Sequence, residues 1–162
     1  MVSVILVRGP AGCGKSNHVA ELREEYRDTT FNVCSADDFF LVSKRAVDGY
    51  IEPSEYKFEP SKLAQAHNRC LVRYLELILR PRRQIIVVDN TFIHLWEMEP
   101  YILAADRAQA DVNIHEFHIK TLNELRKVAA RNVHNVPPEV VWKMAVEFEP
   151  APKAIVIPLK GL

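Results

Sequence analysis

The sequence is short of glycine and cysteine and has no surplus of charge of either sign. Lysine plus arginine and aspartate plus glutamate each number 21, so the formal net charge of the 162 residues is zero. That balance gives no support to non-specific nucleic-acid binding, although it leaves room for a local basic groove. Three cysteines, at 13, 34 and 70, make no disulfide framework, and no C-x-x-C or Cys/His ligand spacing accompanies them. A reducing, intracellular compartment is expected, the cytoplasm or the nucleus. Apolar runs stop near five residues. A membrane helix needs roughly 20. Met1 leads straight into Val-Ser-Val-Ile-Leu-Val, with no basic n-region and no small-residue cleavage site, so no signal peptide is expected. What remains is ordinary globular composition, 48% apolar and 26% charged, which excludes disorder, collagen and coiled coil. The length suits one domain spanning 1–162.

The periodicity alternates between strands and helices. Val2 to Val7 reads as a buried parallel strand, and residues 15 to 27 as a helix with Val19, Leu22 and Tyr26 on one face. Phe31 to Cys34 is a second strand, and Ala36 to Pro60 an irregular excursion over a binding face. A long amphipathic helix follows from about Pro60 to Arg80, with proline in its first turn. Ile85 to Val88 reads as strand, Glu97 to Gln109 as helix and Val112 to Ile119 as strand. Thr121 to Arg131 and Pro137 to Glu147 read as helices, and Ala154 to Ile157 as a last strand. Such alternation predicts an α/β chain of parallel βαβ units, with helices on both faces of one sheet. Ligands of such sheets bind beyond the carboxyl ends of the strands.

Three of the five glycines crowd into six residues directly after the first strand, in Gly9-Pro10-Ala11-Gly12-Cys13-Gly14-Lys15-Ser16. This is a complete G-x-x-x-x-G-K-S between strand and helix, the context the motif requires. Glycines let successive backbone N–H groups turn toward phosphate oxygens, and the helix start adds its positive end. Lys15 is expected to reach the β- and γ-phosphates of ATP, and Ser16 to ligate Mg²⁺. Gly9, Gly12, Cys13, Gly14 and Asn17 complete the phosphate site. Cys13 suits a small spacer better than a nucleophile.

Ser35-Ala36-Asp37-Asp38-Phe39-Phe40 stands where the second strand ends, on the same sheet edge as the phosphate loop. A carboxylate there can accept the proton of an attacking hydroxyl or hold it in line. Asp37 is the choice, with Asp38 as neighbour or helix cap; Asp is also favoured as a plain cap. Ile85-Ile86-Val87-Val88-Asp89 is four apolar residues and an acid, the Walker-B pattern. Its carboxylate could hold a Mg²⁺-bound water or substrate, or simply bond the phosphate loop. Asn90 and Thr91 extend that polar strand end and, with Asp38 and Asp89, are expected to contact substrate. Lys127 and Arg131, four apart on one helix, share a face and could close over the transferred phosphoryl group as a lid, with Arg126 to one side. The six histidines, including His115 and His118 on opposite sides of a strand, show no ligand spacing. Trp96 and Tyr101 are core residues or a stacking surface for a base.

The segments GPAGCGKS (9–16), SADDFF (35–40), AHNRC (66–70), VVDNT (87–91), WEMEPY (96–101) and ARNVHNVPPEVVWKM (130–144) follow in this order. Together they resemble the P-loop kinase-like domain family of NEDD4-binding protein 2 and its 2-like relatives, akin to the kinase domain of phage polynucleotide kinase. The resemblance implies a three-layer P-loop fold with a mostly parallel five-stranded sheet of adenylate-kinase-like order and a helical lid. It implies an ATP- and Mg²⁺-dependent kinase acting on a hydroxyl. By matching motif positions, Asp37 falls on the catalytic carboxylate, Arg131 on the lid arginine, Lys15 and Ser16 on the phosphate and metal positions, and Asp89 on an active-site aspartate.

Three positions depart from the family's pattern. Phe40 stands where polynucleotide kinase has an arginine that helps hold the acceptor strand, for which Lys44 or Arg45 could substitute. Phe92 replaces a frequent asparagine, and Asn17 a frequent threonine. The expected acceptor is the 5′-hydroxyl of a single-stranded DNA or RNA end. A small-molecule hydroxyl is the alternative, and a nucleotide-binding regulatory module with little catalysis is the reading from another class. The sequence leaves the oligomeric state open.

Overall fold

A computed structural model describes residues 2–42, 55–80, 82–132 and 136–161. Its central strand is β1 (Val2–Arg8), followed by α1 (Lys15–Glu25) and β2 (Phe31–Ser35). A 3₁₀ turn at Asp37–Phe40 leads to β3 (Leu41–Val42), which pairs antiparallel with β4 (Glu55–Tyr56). Then come α2 (Leu63–Ile78), β5 (Gln84–Asp89), α3 (Glu99–Arg107), β6 (Asp111–Glu116), α4 (Leu122–Ala130), α5 (Pro138–Glu147) and β7 (Ile155–Val156). Five strands form one sheet in the order β2-β5-β1-β6-β7, with every pairing parallel. The α/β class, the parallel sheet and its adenylate-kinase-like order are as expected.

Period-2 alternation along the strands builds a core on each face. Val4, Leu6, Cys34, Ile86 and Val88 face α2 and α3, meeting Ala66, Cys70, Tyr74 and Tyr101. Ile5, Val7, Ile85 and Val87 face the other way, toward Val19 and Leu22 of α1, Leu125 and Val128 of α4, and Val141 of α5. β1 and β5 are nearly all buried because each has a strand on both sides and helices on both faces.

Element ends differ from the sequence expectations for local reasons. Helix α1 stops at Glu25, not 27, and the Tyr26 amide closes it by bonding back to the Leu22 carbonyl. Pro60–Lys62 is a 3₁₀ turn ahead of α2, and Leu95–Met98 another ahead of α3. β6 ends at Glu116, so His118 is not on the strand. Helix α4 opens on a capping box in which Thr121 and Glu124 exchange side-chain and backbone bonds. Among the described residues, no helix is long and apolar enough to cross a membrane.

Candidate active site

The strand order brings the polar strand ends together. β5 lies between β2 and β1, in a register that sets Asp89 beside both Ser35 and Val7. The phosphate loop, which leaves β1, therefore stands next to the ends of the two strands that supply Asp37 and Asp89. A cavity of about 580 Å³ opens there, and Lys15, Ser16, Asp37, Asp89, Thr91 and Arg131 line it.

The loop is wound as its glycines require. Gly9, Gly12 and Gly14 all have positive φ, at 147°, 80° and 106°. Gly12 also lacks room: a Cβ there would stand 2.4 Å from the Val128 carbonyl oxygen of α4. Cys13 is a buried spacer under the loop, its thiol pushed up by burial. Lys15 Nζ donates to the carbonyls of Gly9 and Pro10 at 3.0 and 3.2 Å, folding the side chain back over the loop mouth.

Asp37 opens the 3₁₀ turn and is exposed, its amide bonding Ser35 Oγ. Tyr56 of β4 donates its hydroxyl to Asp37 Oδ1 at 3.1 Å. Burial and then the charge of Asp37 push the Tyr56 phenol upward, so it stays a donor. Asp38 turns away, pairing with Arg73 on α2, and does not line the cavity. Asn90 is buried in a structural role: its Oδ1 accepts from the Ala36 amide at 2.9 Å, fixing the turn that carries Asp37. Thr91 also braces the loop, its carbonyl accepting from the Gly9 amide. Lys44 and Arg45 lie outside the described residues.

The two basic candidates of the lid separate. Arg131, at the end of α4, donates to the Gly12 and Cys13 carbonyls at 2.8 and 3.1 Å and to the Lys160 carbonyl. Lys127 is exposed and lines neither cavity, as does Arg126. Leu125 and Val128 are buried, so α4 is built into the core and only its last turn reaches the loop. Arg131 also borders a second cavity of about 190 Å³ behind the loop, with Asn17, His18, Phe117 and Pro158.

Several features escaped the sequence. The far wall of the large cavity is aromatic and apolar, made of Tyr56, Phe58, Leu63, Val140 and Met144 with His67. Phe40 is 3% exposed and packs edge-on against Tyr56 and Phe58, which explains why a ring stands there. Tyr101 is core, whereas Trp96 is 65% exposed and stacks on His94, away from the cavities. His18 and His115 share a 2.8 Å hydrogen bond across 97 residues. No sequence spacing marks that pair.

Burial lowers both histidines, and for His18 it outweighs the opposing pull of Glu21. The neutral pair has one donor and one acceptor; two added protons would leave donors facing donors. A histidine lowered on folding contributes stability that is present above its ordinary value near 6.5 and is lost as pH falls toward the native value. The thermal midpoint is therefore expected to drop between pH 7 and 5, and His115→Asn to flatten that slope. An unchanged slope in the variant would contradict the assignment.

As to Mg²⁺, no group of three or more His, Cys, Asp or Glu residues among those described could hold a metal. Mg²⁺ bound with a nucleotide needs only one or two protein oxygens beside phosphates and water. Ser16 and Asp89, both on the cavity wall, fit that need.

Phosphate loop, strand order and cavity define a P-loop kinase-like nucleotide-binding fold. The chain belongs to the AAA domain family, whose model matches residues 4–151. It is 26% identical over 146 residues to human NEDD4-binding protein 2, covering 90% of this chain and 8% of that protein's length. The resemblance read from the sequence motifs is thus borne out. A gluconokinase from Sinorhizobium meliloti 1021 superposes with a TM-score of 0.64 at 12% identity, over 99% of this chain and 84% of that one. Kti12 of Chaetomium thermophilum, solved with ADP-AlF3, gives 0.59 at 15% identity over 97% and 89%. At those identities the likeness is one of fold.

Proposed function

We propose that the protein transfers the γ-phosphate of ATP to an acceptor hydroxyl, with the 5′-hydroxyl of a polynucleotide end as the acceptor. The observation that carries this reading is one cavity in which a complete phosphate loop faces Asp37, with an aromatic wall beyond it. The triphosphate would lie along the loop amides and Lys15, and the base in the smaller cavity under Arg131. Ser16 and Asp89 would hold Mg²⁺, which when bound neutralises charge on the β- and γ-phosphate oxygens. Asp37 would take the proton of the acceptor hydroxyl, and Tyr56, Phe58 and His67 offer faces on which a terminal base can stack.

A second reading has its own observation. Among the described residues, Lys15 and Arg131 are the only lysine and arginine on the cavity wall, and both belong to the ATP side. A small neutral hydroxyl compound suits such a wall.

The test is γ-phosphate transfer from ATP and Mg²⁺ to 5′-hydroxyl DNA and RNA oligonucleotides, with nucleosides and gluconate as small acceptors. Labelled oligonucleotide is expected, and Lys15→Ala should lower its formation by roughly 10²- to 10³-fold, the cost of one charge-stabilising donor. Transfer to a small acceptor alone would replace the polynucleotide reading. ATP binding without transfer or ADP release would leave a nucleotide-binding module.

A further inference from the structure

We propose that Tyr56 is a positioning residue for Asp37, holding its carboxylate by Oδ1 in the orientation that meets the acceptor hydroxyl. The inference rests on the phosphotransfer reading and adds a residue that the sequence motifs do not contain. Asp37 is exposed on a four-residue 3₁₀ turn, so packing alone does not fix its side chain. Efficient proton transfer needs the carboxylate held in one orientation, within hydrogen-bond reach of the hydroxyl.

Tyr56 supplies a constraint from a separate element. Its hydroxyl donates to Asp37 Oδ1 at 3.1 Å. Strand β4 is anchored where this matters: Tyr56 pairs with Leu41 in the hairpin, and the Lys57 amide bonds the Phe40 carbonyl at 2.9 Å. The Tyr56 ring rests edge-on against Phe40, which is buried and also contacts Phe58 and Phe39. Phe40 thus acts through Tyr56. The position that departs from the polynucleotide kinase pattern here carries the ring that seats the donor.

The proton and electron balance is simple. The acceptor oxygen bonds the γ-phosphorus as its proton passes to the Asp37 carboxylate. The bond from γ-phosphorus to the bridging oxygen breaks, and its electron pair leaves with ADP. Tyr56 keeps its proton throughout, because burial and the neighbouring carboxylate both oppose ionisation.

Tyr56→Phe keeps the ring and removes only the hydroxyl. We expect kcat to fall roughly tenfold or more, the scale of one hydrogen bond to a charged group. The KM for ATP and for the acceptor, and the thermal midpoint, should stay unchanged, which a merely structural role would not give. In an Asp37→Asn background the same change should cost little further, since the two residues act as a unit. Wild-type kcat in Tyr56→Phe, with transfer lost in Asp37→Asn, would overturn the Tyr56 role and leave the kinase reading intact. A full additional loss in the double variant would also overturn it. A wild-type protein that transfers to no acceptor and releases no ADP would overturn both.

Discussion

Asp37→Asn is expected to lower phosphoryl transfer by about two to four orders of magnitude, the range for a lost general base, while ATP still binds. The substitution is nearly isosteric, and the asparagine carbonyl can still accept from Tyr56, so the 3₁₀ turn should keep its shape. The negative charge is removed, and with it the ability to take a proton. Binding should survive because the proposed triphosphate site is the loop and Lys15, whereas Asp37 follows β2 on the side proposed for the acceptor. Comparing kcat with the acceptor KM separates two roles. A loose transition state asks little of a base until the hydroxyl proton becomes acidic. A variant that keeps kcat and raises acceptor KM would make Asp37 an orienting group, and ADP release with acceptor present would report it. Isothermal titration with ATP in parallel checks that binding is intact.

How much of this site could be read from the sequence depended on whether the chemistry was local. Gly9 to Ser16 declares itself because loop, lysine and helix start are contiguous, and the glycine φ values are what the motif needs. Asp37 and Asp89 were legible as strand ends, since sheets of this class gather ligands there. Tyr56 was not: it reaches Asp37 through a hairpin whose two strands are two residues each, too short for a periodic signal. Asn90 reads as a polar strand end, yet its burial and its bond to the Ala36 amide make it a brace for the turn. Lys127 and Arg131 share a helical face by spacing, but Arg131 sits past the last helical residue, where the chain turns inward. Phe92 is a different case. Its φ of 40° is a backbone conformation that asparagine tolerates and phenylalanine resists. Burial against Tyr101 at a ring distance of 5.3 Å offsets that strain.

Arg8 is completely buried, and its loss should be the most destabilising single change in the fold. Nε and Nη2 donate to the Phe92 carbonyl at 2.9 and 2.6 Å, Nη2 also to Ile93, and Nη1 to Glu116 Oε2 at 3.2 Å. The Phe148 ring lies 4.2 Å from the guanidinium carbon. Glu116, 1% exposed, is shared with His118 and the Ala151 amide. One side chain thus ties the strand before the phosphate loop to the strained turn after β5, to β6 and to the segment beyond α5. Arg8→Met fills similar space but leaves the buried Glu116 carboxylate without its guanidinium partner and the Phe92 carbonyl without the donors Arg8 supplies. Breaking a buried pair this way costs about 3–5 kcal/mol. That is a large share of the roughly 5–15 kcal/mol by which a domain is stable. Urea unfolding should show the loss as a lower midpoint at constant slope. Adding Glu116→Gln should recover part of it, because the stranded charge is then gone and the two sites are coupled. A loss below about 1 kcal/mol, the ceiling typical of exposed pairs, would mean that Glu116 finds compensation elsewhere. The same variant links stability to function: Thr91, whose carbonyl holds the Gly9 amide, lies one residue before the Phe92 carbonyl that Arg8 clamps. Loosening that turn should therefore weaken ATP binding even at temperatures where the variant remains folded.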